Sequence, residues 1–120
     1  MIGKTNGYKF QSVHSFEKRL AEATKVKQKF PDRVPVIVEV GSTDLPVLDK
    51  NKYLIPRDLT VGQFIYILRK RIKLSPENAI FVFVNNKLPT TSDTIGNIYE
   101  KEKEPDNFAY FLVKSETTFG

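Results

Sequence analysis

The chain has 120 residues, 40% hydrophobic and 28% charged, a balance that fits one globular domain with a buried core and excludes a low-complexity or fibrous chain. It has no cysteine and no apolar run near the roughly 18 residues of a membrane span, which excludes a disulfide framework, a thiol nucleophile and a thiolate metal site and suits a reducing cytosol. The net charge of +5 sits wholly in residues 1–33, where eight Lys and Arg face three Asp and Glu; residues 34–120 hold eleven of each.

Met1-Ile2-Gly3-Lys4 offers neither the apolar core of a signal peptide nor the glycine at position 2 that myristoylation needs. Gly3, Asn6 and Gly7 predict a loosely held start over residues 1–12. From Ser15, the apolar Phe16, Leu20, Ala23 and Val26 fall at helical spacing, with Lys18, Arg19, Lys25, Lys27 and Lys29 on the other face. Such a basic stripe is either a solvated helix face or a surface that attracts an anionic membrane, an acidic peptide or nucleic acid. The helix must stop before Phe30-Pro31-Asp32, because the residue before a proline disfavours helix.

The β-branched run from Val34 to Val40 predicts a strand, with Pro35 near its start or on an edge. Turn and loop follow from Gly41 to Lys50, then a second short strand over 52–56 that pairs back on the first. Thr60-Val61-Gly62-Gln63 fits a capping box, and Leu59 with Phe64 the hydrophobic staple around it. The helix this starts runs to about Lys73 with Val61, Phe64, Ile65, Leu68 and Ile72 as its apolar stripe. Tyr66 and Ile67 are surplus to that stripe, more apolar surface than a one-sided helix needs. The unbroken apolar run from Ala79 to Val84 predicts a central strand covered on both faces, and Asn85-Asn86 a turn. Ser92 or Asp93 would cap a short helix to about Glu100, and a last strand spans 108–113. The order is helix, then β-β-α-β-(α)-β, an α+β fold of the β-grasp type: a four-stranded mixed sheet and a crossing helix, with an N-terminal helical extension. A right-handed crossover from the second strand to a parallel neighbour is the expected connection.

Ordered blocks of residues carry a resemblance. Phe16-Glu17-Lys18-Arg19, the run from Phe30 to Glu39, and Asp49-Lys50-Asn51-Lys52-Tyr53-Leu54-Ile55-Pro56 are three of them. Asp58 to Phe64, Arg69-Lys70-Arg71-Ile72, Phe83-Val84-Asn85-Asn86 and the closing Thr118-Phe119-Gly120 complete the set. Over residues 14–120 the chain resembles the autophagy ubiquitin-like modifiers, the GABARAP-like family. The resemblance implies a ubiquitin-like domain over 1–120, with a helical subdomain at 1–30, a β-grasp core at 31–114 and a flexible conjugation tail at 115–120. It further implies a short extra helix within residues 7–10.

The activity it implies is conjugation of Gly120 to phosphatidylethanolamine by an activating and a conjugating enzyme, with a cysteine protease that processes and delipidates. The conjugate would recruit receptors and adaptors through aromatic-x-x-aliphatic peptides. It would act as a monomer in the cytoplasm and on the autophagosomal membrane of a eukaryotic cell, without cofactor or metal and not on nucleic acid. Carried over by position, the pocket for the aromatic anchor is Glu22, Val26, Pro35, Lys52, Leu54 and Phe108. The pocket for the aliphatic anchor is Tyr53, Ile55, Pro56, Leu59, Phe64 and Ile67, and Arg33 and Lys50 form an electrostatic rim. For Leu59 and Phe64, plain core packing stands as the competing reading. Ile80-Phe81-Val82 resembles a second family site, for helical ubiquitin-interacting-type motifs, against the competing reading of a buried central strand.

Three features depart from the family pattern. The loop after Glu39, Val40-Gly41-Ser42-Thr43, is short and lacks the usual lysine; Asn107 stands before Phe108 where glycine is common; and the N-terminal tail is long. The rival classes are an unconjugated ubiquitin-like adaptor and a basic nucleic-acid-binding domain, the latter weakened because aromatics do not interleave with the basic run. An enzyme is not expected: His14 is the only histidine, and no phosphate loop, metal spacing or nucleophile motif appears.

Overall fold

In the computed structural model, which describes residues 8–116, the eight-residue strand β1 (Arg33–Val40) forms the axis around which the other elements are placed. Its β-branched residues suit an extended backbone with neighbours on both sides. β2 (Lys52–Pro56) pairs with it antiparallel, Leu54 opposite Pro35 and Lys52 opposite Ile37. β4 (Ala109–Ser115) pairs with the other side of β1 in parallel, and β3 (Ile80–Val84) pairs antiparallel with β4. The four-stranded mixed sheet therefore runs β2-β1-β4-β3.

Between β2 and β3 lies α3 (Val61–Ile72), which starts as the sequence predicts: the Thr60 hydroxyl accepts from Gln63 N at 3.1 Å and Gln63 Oε1 accepts from Thr60 N at 2.9 Å. Val61, Phe64, Leu68 and Ile72 are its buried face, packed with Val34, Val36, Val38 and Phe111 of the sheet. The opposite face of the sheet is covered by α1 (Lys9–Val13) and α2 (Phe16–Lys29). There Tyr8, Phe10 and Ala23 pack on Ile37, Phe108 and Tyr110. α4 (Ile95–Glu102) fills the approach to β4 with Ile95, Ile98 and Tyr99.

Five expectations are corrected. β3 is an edge strand, not a central one: Ile80, Val82 and Val84 point into the core while Phe81 and Phe83 turn to the other face, half-buried. Its unbroken hydrophobicity arises because the outward rings lie beside Leu112 and Lys114 of β4, with Lys114 Nζ 5.5 Å from the Phe83 ring centre. The crossover from β2 does not reach a neighbour either, since β1 and β4 separate β2 from β3. The start is anchored from Tyr8 onward, with the Glu39 carboxylate accepting from Lys9 N at 2.9 Å and Phe10 N at 2.8 Å. The cap of α4 is Thr94, whose hydroxyl accepts from Asn97 N, while Asp93 accepts from Thr94 N and Asn97 Nδ2. Finally, Ala23 alone is fully buried on α2 and Phe16 is exposed, because the helix rests on the sheet only near its middle.

Candidate functional site

The unpaired rim of β2 is where sequence and fold meet. Pro35 has no N–H to give to a ladder, so the Pro35–Leu54 pair is one whose backbone groups turn away from each other. Val38 N donates to Asn51 O, which fixes the same alternation. The N–H and C=O groups of Lys52 and Leu54 consequently face out along the sheet rim, and no further strand pairs with β2 among the described residues. Such a rim is a template for an added extended chain. The Arg33 guanidinium already reaches the Leu54 carbonyl, at 3.4 Å.

On one side of the rim stand the residues assigned to the aromatic anchor. α2 supplies Glu22 and Val26, β1 supplies Pro35, β2 supplies Lys52 and Leu54, and Phe108 precedes β4. Pro35 and Phe108 are buried and form a base, while Val26, Glu22 and Leu54 are half-buried. Lys52 Nζ meets Glu22 Oε2 at 2.6 Å, so an ion pair links α2 to the rim strand. Both partners are substantially exposed, and the pair contributes little to stability. The backbone before Phe108 turns through Asn107 at φ 68, the left-handed region that favours glycine, and asparagine tolerates it.

On the other side, Tyr53, Ile55 and Phe64 are core residues rather than lining. Phe64 is 1% exposed and meets Tyr53 and Phe111 edge-on, ring centres 5.6 and 5.7 Å away. Pro56 and Leu59 are half-buried, and Ile67 is 40% exposed. Leu59 and Ile67 line a shallow, mainly apolar depression of about 490 Å³ together with Tyr66, Gln63 and Thr91. Tyr66 is 60% exposed, so the surplus apolar surface legible on α3 is open surface. Gln63 is marked in the sequence only as a capping residue and Thr91 not at all: Thr91 reaches the depression from the loop before α4, a juxtaposition only the fold creates.

The basic residues assigned to the rim are unevenly placed. Lys50 Nζ lies 5.0 Å from the centre of the Tyr53 ring and the Arg71 guanidinium 5.9 Å from it. Burial pushes the Tyr53 phenol above its ordinary pKa, with Arg71 opposing the shift, so the group stays neutral. At the other sheet edge, only Phe81 of the Ile80-Phe81-Val82 set faces outward; Ile80 and Val82 belong to the core. His14 ends α1, exposed, its ring 4.8 Å from that of Phe10. Among the described residues no group of three or more His, Cys, Asp or Glu could hold a metal, and no helix is long and apolar enough to cross a membrane. Gly120 and Phe119 lie outside the described residues.

A mixed β-grasp sheet with a crossing helix on one face defines a ubiquitin-like protein, here with two further helices closing the opposite face. The family described as "Autophagy protein Atg8 ubiquitin like" matches residues 18–120. The chain belongs to the Atg8 family. It is similar to Autophagy-related protein 8 of Mycosarcoma maydis, 56% identical over 112 residues that cover 92% of this chain and 95% of that one. Autophagy-related protein 8 of Coccidioides immitis is 55% identical over 113 residues, 93% and 97% of the two chains. Among solved structures, Trypanosoma brucei ATG8 superposes with a TM-score of 0.86 at 42% identity, covering 91% of this chain and 95% of that one. Plasmodium falciparum Atg8, solved in complex with a Plasmodium falciparum Atg3 peptide, superposes with a TM-score of 0.83 at 33% identity, covering 90% and 98%.

Proposed function

We propose that this chain is a modifier joined through Gly120 to phosphatidylethanolamine on autophagic membranes, where it recruits receptors and adaptors that carry aromatic-x-x-aliphatic peptides. The observation that supports the reading best is the outward-turned backbone of Lys52 and Leu54 between two apolar surfaces. A peptide added there as a strand sends alternate side chains to opposite sides of the rim. The solved Plasmodium complex, in which an Atg8 holds an Atg3 peptide, supports a peptide-binding role and a conjugating enzyme as partner.

Two buried anchors give roughly 2–3 kcal/mol each, and association costs several kcal/mol back. Strand hydrogen bonds and rim charges then bring the complex to about micromolar affinity. Arg33, Lys50 and Lys52 would pair with acidic residues beside the motif and speed encounter more than they slow release.

The tail chemistry runs from carboxylate to acyl-adenylate, thioester and amide, and a terminal glycine lets each enzyme channel close on a chain without side-chain bulk. A diacyl lipid supplies the two chains that stable anchoring needs. In this cycle the protein is the substrate of an activating enzyme, a conjugating enzyme and a cysteine protease. Reconstitution with those enzymes and phosphatidylethanolamine vesicles tests the reading: Gly120→Ala should abolish the lipid adduct seen by mass spectrometry while leaving peptide binding intact. Undiminished lipidation of that variant would refute conjugation at this residue.

A further inference from the structure

Past Val40, the last residue of β1 to pair with β4, the loop makes one more backbone bond to β4 and then holds its end through side chains. Gly41 N donates to Val113 O at 2.7 Å, and a Cβ at this position would sit 3.0 Å from Leu112 Cδ1. Ser42 N–Cα–C then bends into a turn closed by Leu45 N on Ser42 O, with Leu45 buried in the core. The backbone amide of Ser115, the end of β4, donates to the Ser42 hydroxyl at 2.9 Å. The Ser115 hydroxyl in turn donates to the Asp44 carboxylate, 2.8 Å from each oxygen. Ser42 and Ser115 are buried, whereas Asp44 is on the surface. From the other side, Glu116 N donates to Ala79 O at 3.3 Å.

We infer that Ser42 and Asp44 are positioning residues for conjugation: they clamp the root of the C-terminal tail at Ser115 and so fix the point from which Gly120 is presented to the activating and conjugating enzymes. The inference rests on the conjugation reading above. From Ser115 to Gly120 the chain has five peptide steps, a reach of at most about 18 Å. Over so short a tether the origin matters, because a root held from the β3 side alone, at Ser115 opposite Ile80 and Glu116 on Ala79, can fray and leaves the enzyme to order the frayed residue itself. Asp44 is an exposed loop residue that makes no strand pairing, so its carboxylate can be removed without touching the sheet ladder.

The test uses the full chain with activating enzyme, conjugating enzyme, ATP and phosphatidylethanolamine vesicles, and measures the rate of thioester formation against modifier concentration. For Asp44→Ala and Ser115→Ala, KM should rise by up to about tenfold, the backbone ordering of one frayed residue, with kcat within about twofold. Asp44→Asn keeps an acceptor oxygen and should restore most of the wild-type KM. Binding of an aromatic-x-x-aliphatic peptide at β2 should be unchanged in all three. An unchanged KM in both alanine variants, in the presence of normal wild-type conjugation, overturns the clamp alone. A loss of peptide binding that parallels the KM also overturns it, since the effect would then be a general loosening. Failure of the wild-type chain to be conjugated overturns the clamp and the conjugation reading together.

Discussion

Replacing Asp106 with alanine should detach the helical layer from the sheet and weaken peptide binding as a consequence. The carboxylate is 1% exposed and satisfies three donors at once. Its Oδ2 accepts from Arg19 Nη1 and from the Tyr110 hydroxyl, each at 2.5 Å, and its Oδ1 accepts from Phe108 N at 2.9 Å. Burial first, and the Asp106 carboxylate second, push the Tyr110 phenol above its ordinary pKa, so it remains a donor. Alanine would leave a guanidinium, a phenol and an amide without this acceptor, and the Arg19 side chain is only 13% exposed. Removing one partner of a buried ion pair costs about 3–5 kcal/mol, a large share of the roughly 5–15 kcal/mol that holds a domain folded. Urea unfolding of the variant measures the loss. Because Glu22 and Val26 ride on the same helix as Arg19, calorimetry with an aromatic-x-x-aliphatic peptide should show weaker binding at a temperature where the core remains folded. A variant within about 1 kcal/mol of wild type would show that the aromatic packing of Phe10 and Phe108, not the ion pair, holds this layer.

The remaining expectations concern separate parts of the molecule. Leu54→Ala and Ile67→Ala each remove a surface-facing apolar group beside the β2 rim, and should weaken the peptide at least about tenfold; unchanged calorimetric affinity in both would remove the groove. Thr60→Ala deletes the hydroxyl of the α3 capping box and should cost about 1 kcal/mol, read as a lower urea midpoint at unchanged slope. Hydrogen bonding from Arg57 first, and from Lys103 second, holds the Glu100 carboxyl down to about 2. A depressed carboxyl stabilises above its unfolded value of about 4.3 and loses that contribution as the pH falls through its folded value. The side chain is 47% exposed, so water discounts the pair, and Glu100→Gln should cost no more than about 1 kcal/mol at pH 7. The gap to wild type should close between about pH 4 and pH 2; a gap that persists below that range means the carboxylate charge is not its source.

Much of the candidate site is legible in the residues because its parts are local. Pro35 and the β-branched run around it announce a strand with a defective ladder position, and the Thr60-to-Gln63 box announces the helix beside it. Tyr66 and Ile67 betray open surface because they exceed what one helix face can bury. The depth of each side chain is a different matter. Phe64, Tyr53 and Ile55 sit under the rim instead of on it, and a sequence pattern records only that a position is apolar. The partners of Tyr8 and Phe10 (Phe108 and Tyr110) and of Asp106 (Arg19) gave no sign in the sequence, since these contacts join the two ends of the chain.

By itself the sequence determined the types and order of the elements from α2 onward and the start of α3, all set by interactions within a few residues: backbone preference, periodicity and capping. Tertiary structure alone decided the strand order. β4, the last strand, inserts beside β1 and leaves β2 and β3 as the two rims, so the apolar run of β3 is an edge and not a centre. That choice depends on which faces can be covered simultaneously by α3 on one side and by α1 and α2 on the other, a condition on the whole chain that no local window contains.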